Sequence, residues 1–555
     1  MGNVVPRRAF DQQKVSLPSA AGCVELLGVL PASLRERYAA PSPFLLQPEF
    51  IARIGSEVRP QFVGVPRRQY LALVSRMVKN GMVDLRPEVR AVNGVFGVWK
   101  ELGSSIRLIV DLRRGNAAFL PSPHVSLPNA ADFCNLTLAD GEVLVMGKMD
   151  LSNYYHQIRI PLWMSDYFGL PAVDVQSLDL QYMSTYWRST ASPLSTPDSH
   201  RRLWRRTLTM HESLWWAIGQ RVEEPALRRR VDQRMGGARV AYDGEGFPVK
   251  EEKVEPASTM TTALGLVVDG DRGVVAANVG KVKRLVGATR AVLRRGRASG
   301  RMLQQLLGHW TWFMMARRPA LAIFARCYEF CRKLDRKWSY LWPRVCGELV
   351  TACRLAPLLL TNIRAPLAAT IMACGASEGG FGVAYAVAPL PAAQAAVDKT
   401  LAAPSPSPID PSGASAVDHG PAEPRARRHD DEVPLERPLW RTLRWKVAAR
   451  GRWRYDDHIT HLEVRAAAIC TRWWARARSR FHHRVLIAID NQAVERAVGK
   501  GRSSPPKMLL QMRRIGAVAL ATDTYWISTW VPSEDNPADE PSRMRSIWAT
   551  NPLPG

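Results

Sequence analysis

The chain has 555 residues, 46% of them hydrophobic, and a formal net charge of +26 from 76 basic against 50 acidic side chains. That length predicts roughly three or four domains with real apolar cores, and the basic excess points to a polyanionic partner, most simply nucleic acid. The longest apolar runs, 303–324 and 367–390, are broken by Arg317-Arg318 and by Glu378, which excludes a membrane-spanning helix.

Arg7-Arg8 has no apolar core behind it, so no secretory signal is expected. Met1-Gly2 is followed by Pro6 where N-myristoylation wants Ser or Thr. Eight cysteines, at 23, 134, 327, 331, 346, 353, 374 and 470, are scattered without a C-x2-C pair. Cys327 and Cys331 lie one helical turn apart, with no His or Cys pair following at zinc spacing. The expectation is a reduced protein with buried thiols. An intracellular location, cytoplasmic or nuclear and not secreted, is expected.

Residues 1–60 are interrupted by proline and read as an N-terminal extension; the first helical pattern is at 71–80. Val95-Phe-Gly-Val-Trp-Lys100 and Ile106-Arg-Leu-Ile-Val-Asp-Leu-Arg-Arg-Gly-Asn116 are β-branched runs separated by Gly103-Ser-Ser, which predicts a hairpin. Lys100 and Arg107 flank its turn, and Asp111, Arg113 and Asn116 sit at its end. Basic groups on such a tip either grip phosphates or face solvent. Next comes Met146-Gly-Lys-Met-Asp-Leu-Ser-Asn-Tyr-Tyr-His-Gln-Ile-Arg-Ile-Pro161, which alternates apolar and polar residues up to Asp150 and then turns at Ser152-Asn153. The pattern predicts a buried strand that delivers one carboxylate at its C-terminal end, with Tyr154-Tyr155 shortly after. A lone Asp there also suits a turn or helix cap.

Three motifs in series change that balance. Phe-x-Val-x-Lys, then Arg-Leu-Ile-Val-Asp-x-Arg-x-x-Asn, then Met-Asp-Leu-x-x-x-Tyr-His-Gln-Ile-x-Ile-Pro resemble the fingers and first palm motif of reverse transcriptases. They look most like those of DIRS-like retroelements, the tyrosine-recombinase group. The resemblance implies an α/β multidomain chain: right-hand polymerase fingers, α+β palm and thumb, followed by an RNase H-like α/β domain. It implies that Asp150 is catalytic and binds Mg²⁺. It implies that Lys100 and Arg107 contact the incoming triphosphate, that Tyr155 lies under the sugar and excludes a 2′-hydroxyl, and that Lys253 belongs to the nucleotide-binding set. Two hard cations about 3.5–4 Å apart need carboxylate oxygens from neighbouring strands.

The sequence then departs from the family pattern. The second palm motif, Leu-Pro-x-Gly followed by a helix, is best matched by Leu208-Thr-Met-His-Glu-Ser-Leu-Trp-Trp-Ala-Ile-Gly-Gln220. Thr209 stands for the Pro and His211 for the Gly, which puts a side chain where backbone should pass close to template. The third motif, a hairpin with adjacent aspartates, is missing. After 223–241 the chain reaches Tyr242-Asp-Gly-Glu-Gly-Phe-Pro-Val-Lys-Glu-Glu-Lys253, which resembles what normally follows that hairpin. Asp243 is a poor substitute, and Ala263-Leu-Gly-Leu-Val-Val-Asp269 looks like the strand that grips the primer.

Residues 275–345 read as helical and basic. Arg290, Arg294, Arg297 and Arg301 fall at i, i+4, i+7 and i+11, one face of a helix weakened by Gly296 and Gly300. Such a stripe either tracks phosphates or is a solvated face. Leu306-Leu-Gly-His-Trp-Thr-Trp-Phe-Met-Met-Ala-Arg-Arg-Pro319 resembles the thumb and connection, and its aromatics read as core. The Ala/Pro/Ser-rich stretch at about 386–438 predicts disorder. Around it, Ala369-Thr-Ile-Met-Ala-Cys-Gly-Ala-Ser377, His461-Leu-Glu-Val-Arg465, Val485-Leu-Ile-Ala-Ile-Asp490 and Asn536-Pro-Ala-Asp-Glu-Pro-Ser-Arg543 occur in the order of an RNase H domain. By that resemblance Glu463, Asp490 and Asp539 are catalytic Mg²⁺ ligands. Gly375 stands where the first aspartate belongs. Arg454-Tyr-Asp-Asp-His458 mimics the missing pair but lacks flanking apolar strands, and reads as a loop.

The expected organisation is an extension (1–60), fingers and palm (61–272), helical thumb and connection (273–365), an interrupted RNase H-like domain (366–545) and a tail (546–555). The leading expectation is a retroelement RNA-directed DNA polymerase with an RNase H-like domain, catalytically impaired. Its partner would be an RNA/DNA template–primer or RNA–DNA hybrid, with no membrane and no protein partner identified. The alternative is a non-enzymatic basic nucleic-acid-binding remnant. A third is a mis-spliced product whose gene still encodes the hairpin between Gln220 and Tyr242.

Overall fold

The computed structural model describes residues 4–20, 22, 24–30, 32–41, 45, 65–101, 103–120, 130–178, 188–193, 212–402 and 439–546. The chain divides into two compact units, Met1–Leu127 with Val145–Thr261, and Pro128–Leu144 with Thr262–Gly555. Their elements form the expected α/β multidomain fold.

The first unit contains the predicted hairpin. Gly94–Glu101 and Ser105–Asp111 pair antiparallel, with Val98 opposite Arg107 and Trp99 opposite Ile106. Gly103 takes φ +80° in the turn, a conformation free of Cβ strain only for glycine. Ile106 and Val95 pack against Leu73, Val74 and Met77 of the helix Arg67–Lys79. That helix begins four residues before the span expected from the sequence. The N-terminal extension belongs to this core: Val5, Phe10 and Val15 are buried in the same cluster. Prolines mask this contribution in the sequence, because each short apolar stretch docks without a helix or strand of its own.

A three-stranded sheet places Glu142–Asp150 between Glu255–Ser258 and Glu212–Gln220. The helix Glu224–Gly244 lies against it, and a Cβ on Gly147 would fall 2.1 Å from Met235 Sδ. Only glycine permits so close an approach. Here one expectation is corrected. Residues 212–220 are a strand, not the helix of a second palm motif; a short apolar run such as Leu214-Trp-Trp-Ala-Ile218 has no period that distinguishes the two. Residues 208–211, including Thr209 and His211, lie outside the described set.

In the second unit Leu266–Asp269 pairs with Val274–Ala277, which pairs with Leu360–Asn362. The single strand expected over 263–269 is divided by a turn at Leu264 and Gly265, both at positive φ. The predicted arginine face is also corrected. The helix Val279–Arg295 ends at Gly296, whose φ of +66° and N–H bonds to the Val292 and Leu293 carbonyls cap it. Arg290 and Arg294 remain on that helix, Arg297 moves into the strand Arg297–Ser299, and Arg301 into the helix Gly300–Met314. Trp310 and Phe313 are core as expected, whereas Trp312 is half-exposed.

The C-terminal sheet has five strands in the order Lys446–Arg452, Gly380–Val387, Thr370–Ala376, Arg484–Ile489, Tyr525–Trp530. Numbered along the chain this is 3-2-1-4-5, antiparallel over the first three and parallel over the last three. This five-stranded mixed sheet lies where the sequence leads one to expect an RNase H-like domain. Leu462, Ala466 and Cys470 from the helix Ile459–Trp474 and Met512 from Pro506–Ala521 bury one face against Met372, Cys374 and Ile487. The other face buries Ala393 and Val397 of the helix Leu390–Ala402. That helix corrects the start of the predicted disorder: alanines that suggest low complexity are here a small-residue packing face. Residues 403–438 lie outside the described set. Among the described residues no helix is long and apolar enough to cross a membrane.

Candidate functional site

The strand Glu142–Asp150 is buried almost throughout, so Asp150 arrives at its end only 4% exposed. The chain then turns through Asn153 at φ +45° into the short turn Tyr154–His156. Tyr154 is buried against Phe247, with ring centroids 5.9 Å apart, and Tyr155 follows it in the turn. Residues 248–253 close over this strand end. Ser152 N–H donates to the Pro248 carbonyl at 2.8 Å and Lys250 N–H to the Asp150 carbonyl at 2.7 Å. The Lys253 ammonium is ion-paired with Asp150 Oδ2. Lys253, expected among the nucleotide contacts, therefore meets the candidate catalytic carboxylate itself.

Lys100 and Arg107 are exposed on the hairpin, Lys100 within a bulge. Lys100 is brought toward the same segment. The Glu252 carboxyl lies below its ordinary range because Lys250 hydrogen-bonds it, with further help from the charges of Lys100 and Lys253.

Neither strand beside Glu142–Asp150 carries an aspartate. Glu255 is ion-paired with Lys148 at 2.7 Å, and Glu212 is the first residue of its strand. Asp243 lies in the last turn of its helix, 4.0 Å from Arg239. One carboxylate already facing an ammonium does not balance two divalent cations. Among the described residues, those at this strand end do not fit the Mg²⁺ pair that the family resemblance implies.

The second candidate centre lies at one end of the five-stranded sheet. Thr370–Ala376 ends through Cys374 and Gly375, Glu463 projects from the helix Ile459–Trp474, Asp490 follows Arg484–Ile489, and Asp539 begins Asp539–Ser542. The structure brings these three acids into electrostatic contact. Glu463 Oε1 accepts the Ala376 N–H at 2.9 Å, while Glu463 Oε2 and Asp490 Oδ1 are buried without a hydrogen-bond donor. Burial first, then repulsion by Asp490 and Asp539, pushes the Glu463 carboxyl up to about 9. Burial also raises Asp490. Asp539 is paired with Arg543 at 3.2 Å.

Hard oxygen donors of this kind suit Mg²⁺, yet the set is one short. Gly375 offers no oxygen from its side chain, and among the described residues no three His, Cys, Asp or Glu groups are gathered closely enough to hold a metal ion. The acids fit a cation in kind but not in number.

Sequence reasoning missed Asn536 as a functional residue, although it opens the quoted Asn-x-x-Asp motif. It is fully buried; Nδ2 donates to the Cys374 carbonyl at 3.0 Å, Oδ1 accepts the Ala538 N–H at 3.0 Å, and the side chain also hydrogen-bonds Asp490. A Cβ added at Gly375 would lie 3.0 Å from the same Nδ2. The mimic at 454–458 is a loop as expected, with Asp457 held by Lys507 at 2.8 Å and His461 at 2.9 Å. The described cysteines are all free, with Cys327, Cys374 and Cys470 buried.

No protein-family model matches this chain, and no curated protein matches it. Among solved structures it is similar to the foamy viral protease-reverse transcriptase in complex with RNA/DNA hybrid. That match has 13% identity and a TM-score of 0.38, and covers 83% of this chain and 73% of that one. The same viral protein in complex with dsDNA matches at 13% identity and a TM-score of 0.35, over 64% and 78% of the two chains. The chemistry is therefore argued from the residues themselves.

Proposed function

We propose that this chain is the reverse transcriptase and RNase H region of a retroelement polyprotein, of the DIRS-like group by its motifs, with both centres impaired. The observation that carries the reading is the Lys253 ammonium on Asp150, in a sheet whose other strands bring no aspartate. In a working two-metal centre the charge opposite that aspartate is supplied by Mg²⁺, which polarises the attacking and leaving oxygens. Here an internal cation neutralises the group instead. In the second centre Glu463, Asp490 and Asp539 keep their places, and Gly375 leaves the set incomplete.

What this chain retains is a basic surface. With a net charge of +26, it binds a template–primer or RNA–DNA hybrid mainly through phosphates, with an affinity that falls steeply with salt. Primer extension on an RNA template with Mg²⁺ or Mn²⁺ tests the reading. The expected outcome is no incorporation above an Asp150→Ala control. Robust incorporation that Asp150→Ala abolishes would overturn it. Filter retention across a salt series tests the binding, and retention that ignores salt would remove it.

A further inference from the structure

We propose that the ribbon formed by Arg297–Ser299 and Trp338–Tyr340 is a stacking platform for an unpaired nucleic-acid strand. The proposal rests on the nucleic-acid reading above and adds a place on the second unit and a preference for single strands. The two strands pair antiparallel, with Arg297 opposite Tyr340 and Ser299 opposite Trp338. Residues two apart on a strand share a face, so Trp338 and Tyr340 project together. Ala298 is fully buried, which turns the opposite face inward and leaves the aromatic face outward.

Trp338 is 49% exposed and Tyr340 71%. Each ring carries a guanidinium on one side: Arg295 lies 4.5 Å from the Trp338 centroid and Arg297 4.8 Å from that of Tyr340. An arginine held over a ring face can still donate its N–H groups to phosphate. Neither arginine has a carboxylate partner among the described residues.

The ribbon therefore offers open aromatic faces beside unpaired positive charge. The basic lane continues on the preceding helix, where Arg290 and Arg294 line a hollow of about 530 Å³ with Gly287 and Leu293. Aromatic faces for bases next to a basic track for the backbone are the features of sequence-tolerant single-strand binding. A duplex keeps its base faces stacked inside, so it can use the arginines but not the rings. Exposed Trp and Arg also anchor protein interfaces, but a polyanion is favoured by arginines without acids in a chain of this net charge.

The test measures fluorescence anisotropy of the full chain with a labelled 12-nucleotide single strand and with its duplex, at one salt concentration. Trp338→Ala/Tyr340→Ala is expected to weaken single-strand binding by about tenfold or more per ring while duplex binding stays within about twofold. Trp338→Phe/Tyr340→Phe should keep most of the affinity, which separates stacking from damage to the fold. Single-strand affinity unchanged in the Ala variant, or lost equally with duplex affinity, would overturn the proposal alone. A wild-type chain that binds duplex but not single strands would do the same. A wild-type chain that binds neither would sink the nucleic-acid reading as well.

Discussion

The candidate palm centre and the candidate RNase H-like centre dispose of their negative charge in different ways. At the palm, Asp150 is neutralised by a lysine from the segment that closes over its strand. At the second centre no lysine or arginine among the described residues pairs with Glu463, and the charge is relieved by a proton, since burial and two neighbouring acids raise that carboxyl to about 9. The first arrangement is closed to a cation because a cationic side chain already holds the aspartate. The second still presents buried oxygens without donors. A side-chain cation compensates the first carboxylate, whereas a proton compensates the second only below its raised pKa.

The largest effect that would sharpen this contrast comes from Gly375→Asp. A fourth carboxylate beside two acids already pushed upward should destabilise the protein by roughly 2–4 kcal/mol in EDTA. Mg²⁺ should reverse that loss and give detectable cleavage of an RNA–DNA hybrid; urea titration with and without metal, and a cleavage gel, read both. If Mg²⁺ restores nothing, the second centre is as closed as the first.

Glu463→Gln comes next. The folded pKa of Glu463 lies above its unfolded value, so its contribution to stability is complete at low pH and lost as pH rises from about 4.5 toward 9. At pH 8 the amide should stabilise the protein by roughly 2–4 kcal/mol, because it removes the cost of ionising a buried carboxyl. At pH 4.5 the difference should vanish. Thermal midpoints at the two pH values check it, and an equal gain at both would break the proton account.

Lys253→Met should cost a smaller amount, roughly 1–2 kcal/mol, because the lysine is half exposed while Asp150 is buried. Asp150→Asn in the same background should recover part of it, and a double-mutant cycle measures the coupling. The smallest effect is expected from adding Mg²⁺ to the wild-type chain. A shift in stability of less than about 0.5 kcal/mol corresponds to a site scarcely occupied at millimolar metal. A shift of several degrees that Asp150→Asn removes would break the palm half of the comparison.

Period-two patterning and a glycine turn made the hairpin around Gly103 and the strand ending in Asp150 legible from sequence. The three acids of the second centre were legible as an ordered set, because strands and helices of that domain deliver them at fixed intervals. Three features were not. The sequence marks Gly296 as weakening the arginine-bearing helix, but that it ends the helix outright follows from its positive φ, which the sequence does not show. The run at 214–218 is apolar at every position and so has no period. Asn536 sits in a quoted motif, but its bonds to Cys374 and Asp490 join residues far apart in sequence. The pairing of Lys253 with Asp150 was not legible either, since an ion pair across 103 positions leaves no local signature.

Gly375 gives the two halves of the molecule different prospects. On the proposed reading, polymerase chemistry would require inserting an entire structural element between residues already packed together. The domain with Gly375 needs only a single residue exchanged, at the end of a strand whose neighbours remain in register. On that reading nuclease chemistry is the nearer of the two to completion, and a protein of this kind could come to cut a strand without being able to copy one.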